Sequence, residues 1–239
     1  MTRYPKHLFS VLATLAGGLI LWSCTSTVEP EPTANPLHVD TTNGHTEIDT
    51  AVLRDRMEGY AIQGRDTRDI PFMVRLVEAE EMGTEAIAIM LNTYDSGIEI
   101  LADIAEKERS QAVAVKIIID ALDIDDPYPE PELGEFLDST VSAVWNDEIA
   151  EGKHANAIDA LVAITRVFEF QLKQVIDARP QLHSRAAKYA AEVMYGMNAN
   201  HFRSMCRYLR NAGIPYSPAF LTQEEFDEET TASNYLQLG

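Results

Sequence analysis

Asp69-Ile70-Pro71-Phe72-Met73-Val74-Arg75-Leu76-Val77-Glu78-Ala79-Glu80-Glu81-Met82-Gly83-Thr84-Glu85-Ala86-Ile87-Ala88-Ile89-Met90-Leu91 is the stretch that decides the fold. Met73, Leu76, Val77, Ile87, Met90 and Leu91 recur at three- and four-residue steps, the period of a helix with one face turned to a core. Asp69 suits an N-cap, and Pro71 suits the first turn, where its missing N–H costs nothing. Asp95-Ser96-Gly97 ends the pattern. Downstream, Leu101, Ile104, Ala105, Ala112, Val115, Ile118, Ile119 and Leu122 mark a second helix from Ile98 to about Leu122. The run Asp125-Asp126-Pro127-Tyr128-Pro129-Glu130-Pro131 cannot be helical. Helical pattern then resumes near Gly134 and continues almost to Arg179, with Gly152 as the expected kink or break and Pro180 as the end. A last helix spans about Gln181 to Asn211 and stops at Ala212-Gly213-Ile214-Pro215. Upstream, Ile48 to Ile62 suits a short extra helix.

Two helical hairpins joined by an acidic linker predict an all-α, four-helix bundle. The domain limits follow from composition: a signal over 1–23, a flexible Thr/Ser/Pro-rich tether over 24–48, the bundle over 49–215 and an acidic mobile tail over 216–239.

The amino terminus indicates where the chain resides. Arg3 and Lys6 precede an apolar run from Leu8 to Trp22, shorter than a comfortable membrane span. It ends in Leu21-Trp22-Ser23-Cys24. This resembles the lipobox of bacterial lipoproteins, which implies cleavage before Cys24, lipid on Cys24 and residence in the cell envelope. Thr25 lacks the acidic character that marks inner-membrane retention in some bacteria, which favours the outer membrane.

Charge narrows the partners. Nineteen Lys and Arg against 38 Asp and Glu give a net charge of -19. Such a surface repels nucleic-acid phosphates and anionic headgroups, which excludes a nucleic-acid or polybasic membrane role. The expected partners are the membrane, through the lipid, and an envelope protein. Cys24 and Cys206 are the only cysteines. With Cys24 lipidated, Cys206 has no mate in the chain, so packing alone must hold the fold.

Several residues carry potential chemistry. Glu80 and Glu108 fall on the stripes of the first two helices, about 15 residues before and about 13 after the turn at Asp95. At ~1.5 Å per residue they share one height in an antiparallel hairpin, level with Thr165 and Tyr195 of the other helices. Two interior carboxylates at one height fit a di-metal or shared-proton site. Alternatively they lean to the rim and pair with Arg75, Lys107 or Arg109, which is the expected outcome. Glu151 and His154 form a Glu-x-x-His, the spacing of ferritin-like di-iron ligands, but no second copy accompanies it. Met194, Met197, His201 and Met205 share a stripe of the last helix, either core filler or a soft Cu(I) set. No phosphate loop, Ser-His-Asp arrangement or zinc motif is present. These patterns favour a non-enzymatic module without a cofactor, with iron or copper as the alternative.

The layout is similar to exported, ferritin-like helical bundles of bacterial envelopes. One such family carries a Met-x-x-His-His-x-Gly-Ala-type motif in its first helix and is linked to copper. The corresponding stretch here is Val77-Glu78-Ala79-Glu80-Glu81-Met82-Gly83-Thr84. Gly83 matches, while Glu80 and Glu81 stand where the histidines would be. The resemblance implies a bundle and does not carry copper ligation.

The lipid anchor is directly testable. Wild-type chain expressed with a radiolabelled fatty acid should incorporate label, and Cys24→Ala should not. Equal labelling of both would remove the anchor from this reading.

Overall fold

The computed structural model describes residues 35–94, 99–106, 108–126, 132–150 and 154–231, apart from the side chains of 108 and 109. Cys24, Glu151 and the side chain of Glu108 lie outside the described residues. The described residues belong to one compact unit.

The elements are β1 (Leu37–Val39), β2 (Thr46–Ile48), α1 (Thr50–Ala61), α2 (Ile70–Tyr94), α3 (Glu99–Ala105), α4 (Glu108–Leu122), α5 (Ser139–Val144), α6 (Ala157–Ala178), α7 (Arg185–Asn211) and α8 (Gln223–Thr231). The chain is an all-α bundle, as its periodicity predicts. α6 packs against both α2 and α7, and α1 packs against α4 and α7. The second predicted helix is divided into α3 and α4. The long third segment also breaks: α5 runs into a single π-helical turn at Trp145–Ile149, and α6 starts anew at Ala157. Asn156 caps α6, accepting from the amides of Ile158 and Asp159.

Two expectations change. The tether read over 24–48 is, from Leu37, an antiparallel hairpin pairing Leu37 with Ile48, His38 with Glu47 and Val39 with Thr46. Leu37, Thr46 and Ile48 are buried while His38 and Glu47 are exposed. The alternation is real but only three residues long on each strand, too short to stand out in a polar context. The acidic tail read from 216 is packed as far as residue 231. Leu221 is buried, Phe202 meets Tyr216 and Phe226 edge-on, and Arg203 pairs with Glu229 of α8.

Helix carboxylates tie these connections down. Glu169 of α6 has no exposed surface. It accepts from the amides of Ala219, Phe220 and Leu221 at 2.7–3.0 Å and from the Tyr216 hydroxyl. Glu78 of α2 accepts from the amides of Leu137 (2.8 Å) and Asp138 (2.7 Å), fixing the approach to α5. Asp69 does not cap α2. It is buried and accepts from the amides of His183 (2.7 Å) and Ser184 (2.8 Å) at the start of α7. Burial pushes the Asp69 carboxyl up, but the hydrogen bonds from Ser184 and His183 outweigh it and hold it below the usual carboxylate range.

Replacing Glu169 tests how much this clamp supports. Glu169→Ala leaves three amides and a phenol without their acceptor, and a loss of about 3 kcal/mol or more in urea unfolding is expected. Limited proteolysis should then cut first between residues 213 and 223.

Candidate functional site: a polar layer inside the bundle

The core is divided in two. One apolar cluster holds Met82, Ala86, Phe168, Phe170 and Phe202. The other holds Leu53, Met73, Leu76, Ile118 and Met194. On α2 the changeover falls between Val77 and Ala79, on α6 between Leu172 and Val175, and on α7 between Met197 and Ala199. Polar residues stand at or beside this boundary: Glu80 on α2, Gln171 on α6 and Asn198 on α7.

These three meet. Asn198 Nδ2 donates to Glu80 Oε1 at 2.6 Å. Gln171 Nε2 donates to the Ala79 carbonyl at 2.9 Å and lies 3.5 Å from Glu80 Oε2. The approach of Gln171 depends on Gly83, since a Cβ there would come within 2.3 Å of Gln171 Nε2. Gln171 Oε1 and Asn198 Oδ1 are enclosed without a hydrogen-bond partner. Glu80, only 8% exposed, is therefore interior rather than at the rim. Arg75 pairs with Asp138 instead, at 2.7 Å. The expected level with Thr165 and Tyr195 is corrected to Gln171 and Asn198, because the α6–α7 connection lies at the start of α2, where Asp69 holds the amides of His183 and Ser184, and not at the end near Asp95.

A second polar pair adjoins this layer. Gln111 Nε2 lies 3.2 Å from His201 Nε2, and Phe168 stacks obliquely on the His201 ring. Gln111 also donates to the Thr46 carbonyl. Asn200 Nδ2 reaches Thr46 Oγ1 at 2.9 Å and the His45 carbonyl at 3.2 Å, which docks the hairpin on α7. Burial, with a smaller contribution from His45, pushes the His201 imidazole down to about 3. It is a neutral ring at ordinary pH.

The other candidate residues do not gather. Met194 and Met197 lie wholly within one apolar cluster and Met205 within the other, as side chains that fill space. His154 sits in the connection before α6, with Nε2 2.6 Å from the Glu148 carbonyl and its own carbonyl accepting from Tyr94. Among the described residues, no group of three or more His, Cys, Asp or Glu stands in a metal-holding arrangement. Burial pushes the Cys206 thiol up to about 12, so it is a poor nucleophile. The residues that shape the layer and escape the sequence reading are amides: Gln111, Gln171, Asn198 and Asn200. Their signal is an uncharged polar residue recurring inside apolar stripes, as in Phe168-Glu169-Phe170-Gln171-Leu172.

Residues 69–233 match the family described as an uncharacterized protein domain, DUF2202, and the chain belongs to it. It is similar to uncharacterized protein MJ0754 of Methanocaldococcus jannaschii, 22% identical over 161 residues that span 67% of this chain and 85% of that protein. The crystal structure of hypothetical protein MJ0754 from Methanococcus jannaschii shares the fold. Its TM-score is 0.62 at 21% identity, covering 71% of this chain and 95% of that one.

His201 gives the layer a pH signature. Its ordinary value near 6.5 falls to about 3 on folding, so the unfolded chain takes the proton first. The stability is fully present above pH 6.5 and is lost as pH falls toward 3. Between pH 7.5 and 5.5 this amounts to about 1.4 kcal/mol. Urea unfolding of wild type and His201→Gln at the two pH values should differ by that increment.

Proposed function

We propose that the protein is a lipid-anchored envelope module whose bundle serves as a non-catalytic binding or structural unit. The observation that carries this reading is the use made of the interior acids. Asp69, Glu78 and Glu169 are each occupied by backbone amides of their own chain. Acids so engaged hold connections in place and are not presented to a substrate or ion. The neutral His201 and the raised Cys206 thiol give the core no ready base or nucleophile. The lipobox-like Leu21-Trp22-Ser23-Cys24 supports the anchor, and the net charge of -19 favours a protein partner over nucleic acid.

The second reading is a ferritin-like or copper-handling protein. It is favoured by the polar layer, where Gln171 Oε1 and Asn198 Oδ1 are enclosed beside Glu80 without partners. The chemistry of that set, amide oxygens with a carboxylate, is hard and suits iron better than copper.

Metal analysis with stability measurement separates the two. On the leading reading, full-length chain purified without a tag contains no stoichiometric iron or copper, and its melt is unchanged by a strong chelator. Glu80→Gln should then leave the melt within a few degrees of wild type, because an amide still accepts from Asn198. Stoichiometric metal lost together with stability in Glu80→Gln would establish the second reading instead.

A further inference from the structure

The β1–β2 hairpin lies upstream of the matched family region, and its two edges differ. The Asp40 amide donates to the His45 carbonyl and the Asp49 amide to the Pro36 carbonyl, each at 2.7 Å. Hydrogen-bonded and non-hydrogen-bonded pairs alternate along an antiparallel ladder. With Leu37 opposite Ile48 and Val39 opposite Thr46, the main-chain groups of Pro36, His38 and Asp40 therefore turn toward β2. Those of Leu37 and Val39 turn away from it, and those of Thr46 and Ile48 turn away from β1. The outer edge of β2 is occupied. Gln111 Nε2 donates to the Thr46 carbonyl at 3.3 Å, and the Ile48 amide donates to Ser110 Oγ at 3.4 Å. On β1 the Leu37 amide donates to Asn35 Oδ1 at 2.9 Å. The Leu37 carbonyl and both main-chain groups of Val39 have no hydrogen-bond partner among the described residues.

An open cleft of about 520 Å³ accompanies this strand, lined by Leu37, His38, Val39 and Asp40 with His45 and Glu47. A strand edge with unpaired carbonyls and an unpaired amide is a template for a further strand. The outward groups of β1 fit an antiparallel segment about three residues long. One residue exchanges both bonds with Val39, and the residue two further on donates to the Leu37 carbonyl. Side chains alternate between the faces of a sheet. The two residues bonded to β1 therefore share the inner face of Leu37 and Val39, while the residue before them stands directly across from Asp40 on the exposed face. Asp40 is an exposed carboxylate on a chain of net charge -19. Arg207, the cation near enough to affect it, is held by the Thr41 carbonyl and Ser204 Oγ. Asn200 fixes the hairpin to α7, so the edge stands on a rigid base. We propose that β1 takes up an extended segment of a partner protein as a third strand, with apolar residues on the inner face and a lysine or arginine opposite Asp40. This rests on the reading of the protein as a binding module and gives the chemistry of its partner.

The probe is a synthetic hexapeptide alternating lysine and valine, titrated into the full-length, untagged chain by calorimetry. A hexapeptide alternating glutamate and valine is the comparison. One lysine peptide per chain is expected, and it should slow deuterium exchange at the Val39 amide. N-methylating the valines, whose amides face β1, should weaken binding roughly tenfold or more, since two hydrogen bonds go. N-methylating the lysines, whose amides face away, should not. Val39→Pro removes an amide that the ladder does not use. It should weaken binding by roughly threefold to tenfold, with the helix content unchanged by circular dichroism. Asp40→Asn should cost the lysine peptide about twofold to fivefold and narrow its advantage over the glutamate peptide. Equal loss on methylating either set of residues, or equal binding of the two peptides, overturns the proposal. So does a dimer in sedimentation that the peptide dissociates, which would make a second copy the occupant. Metal content judges the underlying reading separately: a metal-free chain that ignores the peptide keeps that reading and loses this one.

Discussion

The rest of the structure depends on one interaction: a buried helix carboxylate receiving the backbone amides of a distant, non-helical segment. Glu169 does this for residues 219–221, Glu78 for 137–138 and Asp69 for 183–184. Connections carry amides that no helix ladder satisfies, and burying them unpaired costs more than most single contacts return. A carboxylate satisfies several at once, with charge-assisted bonds. The helices can thus pack with their connections drawn in against them. The same arrangement explains how so acidic a chain tolerates acids in its interior, since several of them are solvated by its own backbone amides.

The polar layer of Glu80, Gln171 and Asn198 adds register to packing. Apolar stripes alone allow helices to slide by a turn with little penalty, because one leucine-sized neighbour replaces another. A buried amide and carboxylate accept few substitutes. Sliding α2 against α6 by one turn would bring Gln171 away from Gly83, the position where no Cβ obstructs it. The hairpin is set by the same means through Asn200 and Gln111, so the polar residues of α4 and α7 locate both the neighbouring helices and the strands.

The helices were legible because Met73, Leu76, Val77 and their counterparts repeat at the helical period, and the stops at Asp125–Pro131 and Ala212–Pro215 are chemically unambiguous. Asp69 was legible as a helix-start residue but not as the acceptor for the amides of His183 and Ser184, since one residue before a helix says nothing about a segment more than a hundred residues away. Phe220, Leu221 and Phe226 were too few among acids to disclose that 216–231 packs; the acceptor that draws the segment in, Glu169, belongs to another helix. Interior amides are hard to read for a related reason. Gln171 and Asn198 carry neither a charge nor a typical metal ligand, yet they occupy the boundary between the two halves of the core. Glu80 was visible on its stripe, and only its partners revealed which side of the stripe it takes.

The Glu169 clamp also sets an order of events. A chain made from its amino terminus exposes Glu169 before the amides that will receive it exist. Until residues 216–221 emerge, α6 can bury that carboxylate only at the full expense of its desolvation. Native packing around α6 is therefore held back until residues 216–221 have been synthesised. A sequence in which a downstream segment supplies the partner for a buried charge stays loosely folded until that segment emerges, and it then closes as a unit.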